Sequence, residues 1–312
     1  MQRGGHIYRS PRLNYQIQYR VTAYEPGEFE VGPFTIKQHN KLAHVEAVSM
    51  TFQAVPTDPH MRIRLLLPDK PVYPDQRVPV GIEWWNAENR HNVRELNIYS
   101  PMFDEFHFAP DPPASPGASQ LQIDTKQGNI SLSATEREEQ HAGRRFAVLS
   151  ANRTLLPDRP GEFTLPPIVA TVRKATGRAR SMVRAEGTPQ KLIVKAFPAD
   201  GRPESFAGAV GSGFSIDVSA DPTVVCVGDP IDLDITLRGD GNLENAGLPA
   251  LSADDGMSPV RFRLPEGDVP GDLADGAKRF HVSVRVIDVS VGAIPALAFS
   301  WFDPDAEKYE TA

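Results

Sequence analysis

The sequence has one cysteine among its 312 residues, Cys226, so an intrachain disulfide is excluded. It has no cluster of Cys and His at zinc-ligand spacing. No stretch approaches the roughly 18 to 20 continuous apolar residues of a membrane span, and the first residues lack the apolar middle of a signal peptide. A fold stabilised by disulfides or by structural zinc is therefore not expected.

Positive charge is also scarce, because the formal net charge is -7. Nucleic-acid binding needs a dense face of Lys and Arg, so nucleic acid is not expected as a partner. The one basic run lies between Arg173 and Arg184. It is predicted to form a β-hairpin whose charges are solvated.

Motifs of common enzymes are missing: the sequence has no GxSxG elbow, no HExxH, no Walker loop and no Cys/His pairing. We therefore predict that the protein is not an enzyme and has no catalytic, cofactor-binding or metal-binding residues. One acidic stretch, comprising Asp229, Asp232, Asp234, Asp240 and Asn242, has a calcium loop as its alternative interpretation. The favoured interpretation places its aspartates on the outward face of a strand and residues 239–242 in a corner that needs positive φ.

What the sequence does contain is apolar alternation with a period of two residues. From Val227 to Leu237, isoleucine and leucine alternate with aspartate and threonine, which is typical of a half-buried strand. Similar runs occur at residues 15–21, 78–84, 190–196, 214–218 and 280–286. Residues 133–143 alone have helical propensity, and they are predicted to form either one short helix or a polar hairpin. The pattern predicts an all-β chain of tandem immunoglobulin-like antiparallel β-sandwich domains.

A Pro-Gly-Glu-Phe repeat occurs at residues 26–29 and 160–163. Each Pro-Gly pair is predicted to occupy the central positions of a type II turn, in which the glycine takes positive φ. The phenylalanine that follows, Phe29 or Phe163, is predicted to point into the core. A degraded third copy at 284–301 has Gly292 at its turn. Three such hairpins predict three domains.

A second repeat aligns residues 70–89 with residues 223–242. Each copy has a turn, an alternating strand and a polar corner that ends in Asn89 or Asn242. The repeats predict three domains: residues 1–57 as the C-terminal part of a truncated sandwich, 58–198 as a complete sandwich with a Pro-rich loop at 108–117, and 199–312 as a sandwich lacking its last strand. The chain is therefore expected to be cut at both ends.

Three short motifs resemble the BatD family of bacterial aerotolerance, or oxygen tolerance, proteins. They are Phe206-x-Gly208-x-Val210-Gly211, Val227-Gly228-Asp229-Pro230 and Gly239-x-Gly241-Asn242-Leu243. The strand predicted at 15–21, its Pro-Gly turn, and Trp301-Phe302-Asp303-Pro304 are also similar to the family, so the resemblance touches all three predicted domains.

The resemblance implies a non-enzymatic, periplasmic protein that is membrane-anchored in its full-length form. Its expected partners are von Willebrand A-domain proteins and a MoxR-associated ATPase complex, and its expected role is in aerotolerance or envelope stress. A leader peptide and a membrane helix are expected in the family. Their absence from this sequence is attributed to truncation.

A carbohydrate- or peptidoglycan-binding module is the alternative function, because aromatic residues concentrate near the Pro-rich loop. These residues are Trp85, Tyr99, Phe103, Phe106 and Phe108. Such a platform needs exposed rings. The adjacent Trp84 is expected in the core, with Trp85 shielding either the opposite face of the strand or an interdomain contact. Cys226 is predicted to be a small buried hydrophobe rather than a redox sensor.

Overall fold

The computed structural model describes residues 16, 21, 23, 26–88, 90–110 and 119–312. Most of the strand predicted at 15–21, most of the Pro-rich loop and Asn89 lie outside the described residues. The regular secondary structure of the described residues is almost entirely β-strand, with one 3-10 turn at Arg90–Asn92 and one short helix, α1, at Met102–Glu105. The predicted all-β class is therefore confirmed.

Two compact units divide the chain, Met1–Pro56 and Thr57–Ala312. The described residues of the first unit form four strands: β1 Gly27–Val31, β2 Phe34–Gln38, β3 Lys41–Val45 and β4 Val48–Phe52. Strand β1 pairs with β4 and β2 pairs with β3, both antiparallel. Phe29 is 41% exposed and contacts Phe52 edge to face at 5.7 Å. The prediction that Phe29 points into a core is therefore wrong, because its ring is largely exposed and packs on the opposite strand.

The second unit begins with eleven strands around one hydrophobic core. They are β5 Met61–Leu66, β6 Val78–Asn86, β7 Val93–Tyr99, β8 His107–Phe108, β9 Ser119–Thr125, β10 Gly128–His141, β11 Arg144–Leu156, β12 Gly161–Leu165, β13 Val169–Thr176, β14 Ala179–Glu186 and β15 Gln190–Val194. Nine of these strands form one sheet in the order β14-β13-β7-β9-β10-β11-β6-β5, with β8 beside β11. Strands β12 and β15 pair separately.

Strand β10 connects the two halves of the large sheet. Its first half pairs with β9 and its second half pairs with β11. Buried side chains from both halves belong to the same core cluster, for example Ile98 and Val172 from one half and Ile82 and Leu149 from the other. The sheet therefore folds over its own core, in the manner of a β-sandwich.

Residues 133–143 belong to the hairpin of β10 and β11, with the turn at Ala142 and Gly143, both of which have positive φ. The helical alternative is thus wrong and the polar hairpin is confirmed. The two long strands pair from Thr135 to His141, so the backbone groups of this stretch that face β11 join the ladder. That pairing outweighs the local helical preference of its charged residues.

Eight further strands surround a second core. They are β16 Phe206–Val210, β17 Ser215–Asp221, β18 Pro230–Arg238, β19 Phe262–Arg263, β20 Asp272–Ala274, β21 Ala277–Val286, β22 Ser300–Asp303 and β23 Lys308–Thr311. One sheet has the order β17-β18-β21-β19, with β20 beside β21; the other has the order β16-β22-β23. The predicted alternation of β18 is confirmed, since its isoleucines and leucines are buried and its aspartates are exposed.

The Pro-Gly-Glu-Phe repeat has one backbone conformation in both copies, but it is not the predicted turn. Gly27 and Gly161 both have φ of 159°, close to fully extended, and each is the first residue of a strand. A type II turn requires φ of about +80° at this position. A Cβ on either glycine would lie 3.2 to 3.3 Å from the ring of Phe29 or Phe163. Each glycine therefore makes room for the phenylalanine two residues later.

The third copy of the hairpin differs from the first two. Strand β21 ends at Val286, and the next strand, β22, begins only at Ser300. Gly292 lies between them, with open space where a Cβ would be. The predicted third hairpin is therefore wrong as a pair of strands, since an irregular connection occupies its place.

Candidate interaction surfaces

An aromatic cluster joins the two cores of the second unit. Tyr73, Phe206, Val210 and Phe302 are buried in it, and Phe197 and Tyr309 pack against them. The rings of Tyr73 and Phe302 lie 4.6 Å apart, and Phe197 contacts Phe302 at 5.3 Å. Aromatic pairs at such distances contribute about 0.5 to 1.5 kcal/mol beyond the burial of their area. We call this cluster the aromatic joint.

Polar contacts reinforce the aromatic joint. The Lys195 ammonium lies 2.9 Å from the Glu307 carboxylate, and the Tyr309 hydroxyl donates to the Pro198 carbonyl at 2.8 Å. The Asn245 amide also donates to the Asp75 carboxylate. Burial raises the pKa of the Tyr309 hydroxyl, so it stays a neutral donor at neutral pH. Contacts of three kinds thus hold residues 57–198 against residues 199–312.

Two of the motifs that carry the BatD resemblance meet beside this joint. Phe206 and Val210 of the first motif line it, and Gly211 has φ of 144°. A Cβ on Gly211 would lie 2.6 Å from the Cα of Gly241, in the motif that follows β18. A Cβ on Gly241 would in turn lie 2.3 Å from the Val210 carbonyl oxygen. Both glycines are required by close backbone approach, so these motif residues have a packing role.

A buried ion cluster lies at the start of the second unit. The Lys174 ammonium binds the Asp58 carboxylate and lies 2.7 Å from that of Glu88. Desolvation acts against the charge of Lys174, but the hydrogen bonds to both carboxylates outweigh it, so the pKa of Lys174 is raised. Desolvation is likewise outweighed at Asp58, whose pKa is lowered by the Lys174 hydrogen bond.

This cluster also contains the one group of potential metal ligands found among the described residues, Asp58, His60 and Glu88. The Lys174 ammonium bonds to two of these three side chains. The Lys174 ammonium therefore supplies the positive charge that the two carboxylates require, and we interpret the group as a structural ion cluster.

The acidic residues considered as a calcium loop are not brought together. The Asp229 carboxylate accepts the Cys226 backbone N–H at 3.0 Å, while the exposed Asp234 carboxylate is hydrogen-bonded to the His281 ring. Asn242 is 1% exposed and lies in the corner after β18. Asp229 and Asp234 thus have separate local partners, and among the described residues no group of potential metal ligands forms at this corner.

The aromatic residues of the carbohydrate hypothesis provide no exposed platform. Trp85 is 3% exposed and Phe106 is 8% exposed, while the other three are half-buried. The Trp85 indole donates to Glu83 at 3.0 Å, and the Arg64 guanidinium lies 4.8 Å from the ring centre. Trp84 lies in the main core and Trp85 in a small cluster on the opposite face, as predicted. The carbohydrate hypothesis loses the feature that motivated it.

Cys226 is exposed, so the prediction of a buried thiol is wrong. It lies in the connection between β17 and β18, outside both strands, and the alternation seen in the sequence does not begin until Pro230. An exposed loop leaves the side chain in solvent.

Cys226 belongs to a loop end that exposes several aliphatic side chains. They are Val224 at 89%, Val227 at 53%, Val260 at 80%, Ile287 at 47% and Val289 at 88%. Three connections carry them, and backbone hydrogen bonds hold these connections together: Gly228 N–H to Val286 O at 2.8 Å and Ile287 N–H to Arg261 O at 2.9 Å. We call this surface the apolar loop end.

Arginines gather on the outer face of the β7, β13 and β14 strands. A bulge between β7 and β13 leaves Arg94 without a partner in the ladder. Such a bulge re-aims a side chain, and Arg94 lines a cleft of about 330 Å³ together with Arg173, Arg180 and Glu95. The predicted basic hairpin is confirmed as β13 and β14, although Lys174 within it is buried. We call this surface the arginine cleft.

Among the described residues, no helix is both long enough and apolar enough to span a bilayer. In comparisons with known proteins, the chain matches no protein-family model, and no curated protein aligns with it significantly.

Proposed function

We propose that this chain is a non-enzymatic, extracytoplasmic interaction scaffold of the BatD type, built from tandem immunoglobulin-like sandwiches. It works with von Willebrand A-domain proteins and a MoxR-associated ATPase complex in aerotolerance or envelope stress. In its full-length form it is periplasmic and anchored to the membrane. The sequence motifs at residues 206–211, 227–230 and 239–243 are the basis for naming this family.

The apolar loop end is the observation that carries the proposal. Soluble proteins rarely expose contiguous aliphatic surface, and such surface marks sites of protein contact. Val224, Val260 and Val289 are each at least 80% exposed, and they come from three different connections at one end of a sheet. A rigid mount makes such a surface more effective, because binding then costs less conformational entropy.

The aromatic joint supports the same proposal. It fixes the sandwich that carries the apolar loop end against the preceding sandwich, with Tyr73, Phe206 and Phe302 at its centre. A scaffold needs such a fixed spacing between its surfaces. A hinge between the two cores would instead leave that spacing undefined.

The test is capture of partners from native bacterial envelopes, with the tagged chain as bait and mass spectrometry as readout. We expect the wild-type chain to recover a von Willebrand A-domain protein and the double variant Val224→Ser, Val289→Ser to recover at least severalfold less. Leu273→Ser is the matched control, since Leu273 is 48% exposed and lies beside the opposite end of β21. Recovery of no von Willebrand A-domain protein by the wild-type chain overturns the proposal.

A further inference from the structure

Strand β14 lies at an edge of the large sheet, and its free backbone groups are identifiable. The strand order of the sheet places β14 last, and β13 is the only strand paired with it among the described residues; on the other side, Thr57 bridges β14 at Arg184 alone. The Asp58 N–H donates to the Arg184 carbonyl at 2.9 Å, so Arg184 faces the edge. Because backbone groups alternate sides from one residue to the next in a strand, Arg180 and Met182 face the edge as well.

The side chains beside this edge are basic and exposed. Arg180 and Arg173 lie on the same face as Met182, because Arg180 pairs with Ala175 and Met182 pairs with Arg173. The bulged Arg94 joins them in the arginine cleft. Arg173 lies 3.3 Å from Glu95, whereas Arg94 and Arg180 form no ion pair with any residue that the structure describes.

Shielding of the edge does not account for the whole cleft. Charged residues on an edge strand commonly prevent pairing with other chains, and Arg180 alone can serve that purpose. Arg173 and Arg94 lie on β13 and β7, one and two strands inward, where no edge needs protection. Lys174 also lines the cleft, but its charge is balanced by Asp58 and Glu88. In a chain of net charge -7, the three remaining cations, all arginines, face a single glutamate in the lining and require a different explanation.

We propose that the β14 edge and the arginine cleft together bind an acidic, extended protein segment. The segment adds a strand beside β14, with its backbone paired to Arg180 and Met182, as in recognition by strand addition. Its carboxylates enter the cleft and bind the arginines, which suit carboxylates because of their planar fork of donors. This site is separate from the apolar loop end and does not depend on the function proposed above.

The test measures binding of a fluorescent peptide of alternating glutamate and threonine to the full chain by anisotropy. We expect a peptide with glutamine in place of glutamate to bind at least about tenfold more weakly, which corresponds to about 1.4 kcal/mol. The double variant Arg94→Gln, Arg180→Gln is expected to lose a similar factor. Arg238→Gln is its matched control, because Arg238 is an exposed strand arginine on β18, in the other sandwich.

Backbone pairing is tested separately with Met182→Pro. Proline removes the edge-facing N–H of residue 182 without breaking the β13 ladder, so this variant is expected to weaken binding severalfold while the circular dichroism spectrum is unchanged. Met182→Ala is the control and is expected to bind as the wild type does.

Several results overturn the proposal. Equal affinity for the glutamate and glutamine peptides does so, as does an equal loss in Arg238→Gln. Binding of sulfate without binding of the peptide reduces the cleft to an ion site. Tighter binding of a single-stranded oligonucleotide, lost in the same Arg94 and Arg180 variant, assigns the cleft to a different ligand. All of these measurements use synthetic probes and not native envelopes. A negative result here therefore overturns the strand-addition site alone, and capture of a von Willebrand A-domain protein remains a separate test of the proposed function.

Discussion

Strands β6 and β18 are aligned copies of one sequence repeat, yet they have different surroundings on one face. Their inner faces are alike: Trp84 of β6 aligns with Leu237 of β18, and each lies in its own core. On the outer face, Trp85 is 3% exposed, whereas the aligned Arg238 is exposed. The repeat thus specifies which face of each strand is buried in the core. Whether the other face is also buried depends on the residues beside it, which for β6 are Phe146 and Val148.

The largest expected effect is on the shared inner face. Trp84→Ala is expected to destabilise the second unit by about 4 kcal/mol, since it leaves a large cavity in the core. Urea denaturation followed by circular dichroism measures this. Trp84→Phe is the milder control. It should cost only about 1 kcal/mol, because the smaller cavity is partly offset by removal of a buried indole N–H that has no hydrogen-bond partner. A loss below about 1 kcal/mol for the alanine variant would show that the two inner faces are not equivalent.

The residues that follow β6 and β18 also differ. Glu88 follows β6 and bonds to Lys174, whereas the aligned residue after β18 is Gly241, which packs against backbone. Lys174→Met is expected to cost about 2 kcal/mol, because the half-buried carboxylates of Asp58 and Glu88 then lack their cation. The midpoint of urea unfolding measures the loss.

The loss in Lys174→Met should depend on pH. The pKa of Asp58 is lowered from 3.8, so its contribution is present above that value and disappears as pH falls through the lower pKa of the folded state. The pKa of Lys174 is raised from 10.5, so its contribution is complete below that value and is lost only as pH rises beyond it. The difference in the free energy of unfolding between wild type and variant should therefore be constant at pH values between the pKa of Asp58 and that of Lys174. It should become smaller at lower and at higher pH. A difference that changes steadily across neutral pH would contradict this assignment.

Gly241 provides the corresponding test in the corner after β18. Gly241→Ala is expected to cost about 2 kcal/mol through overpacking, because its Cβ would lie 2.3 Å from the Val210 carbonyl oxygen and 2.5 Å from the Phe214 ring. Gly292→Ala is the matched control, since its Cβ would meet open space and its φ is not in the left-handed region. Equal midpoints of urea unfolding for the two variants would show that the corner relaxes without cost.

The sequence predicted the parts of this comparison that depend on local alternation. The inward residues of β18 and the placement of Trp84 and Trp85 follow from side chains on neighbouring positions. For residues 133–143 the sequence left a short helix and a polar hairpin as alternatives, and only the pairing of β10 with β11 decides between them. The ion cluster could not be found in this way, because Lys174 is 116 residues from Asp58 and 86 from Glu88. Nor could the arginine cleft, since a bulge against another strand brings Arg94 onto that face. The prediction for Cys226 was wrong because the continuous apolar run at residues 224–227 lies in a loop that the fold leaves exposed.

The smallest expected effect is on the outer face of β18, at the position that aligns with Trp85. Arg238 lies 2.7 Å from Asp217 across the strand pair, but both side chains are more than half exposed. Solvent screens such a pair, so Arg238→Ala is expected to change stability by less than about 0.5 kcal/mol. A double-mutant cycle with Asp217→Ala, measured by urea denaturation, gives the coupling between the two residues. A coupling above about 1 kcal/mol would mean that neighbouring side chains stabilise the outer face of β18, as they do the outer face of β6. The two strands would then differ in the kind of contact on that face, an exposed ion pair against buried apolar packing, and not in whether the face is stabilised.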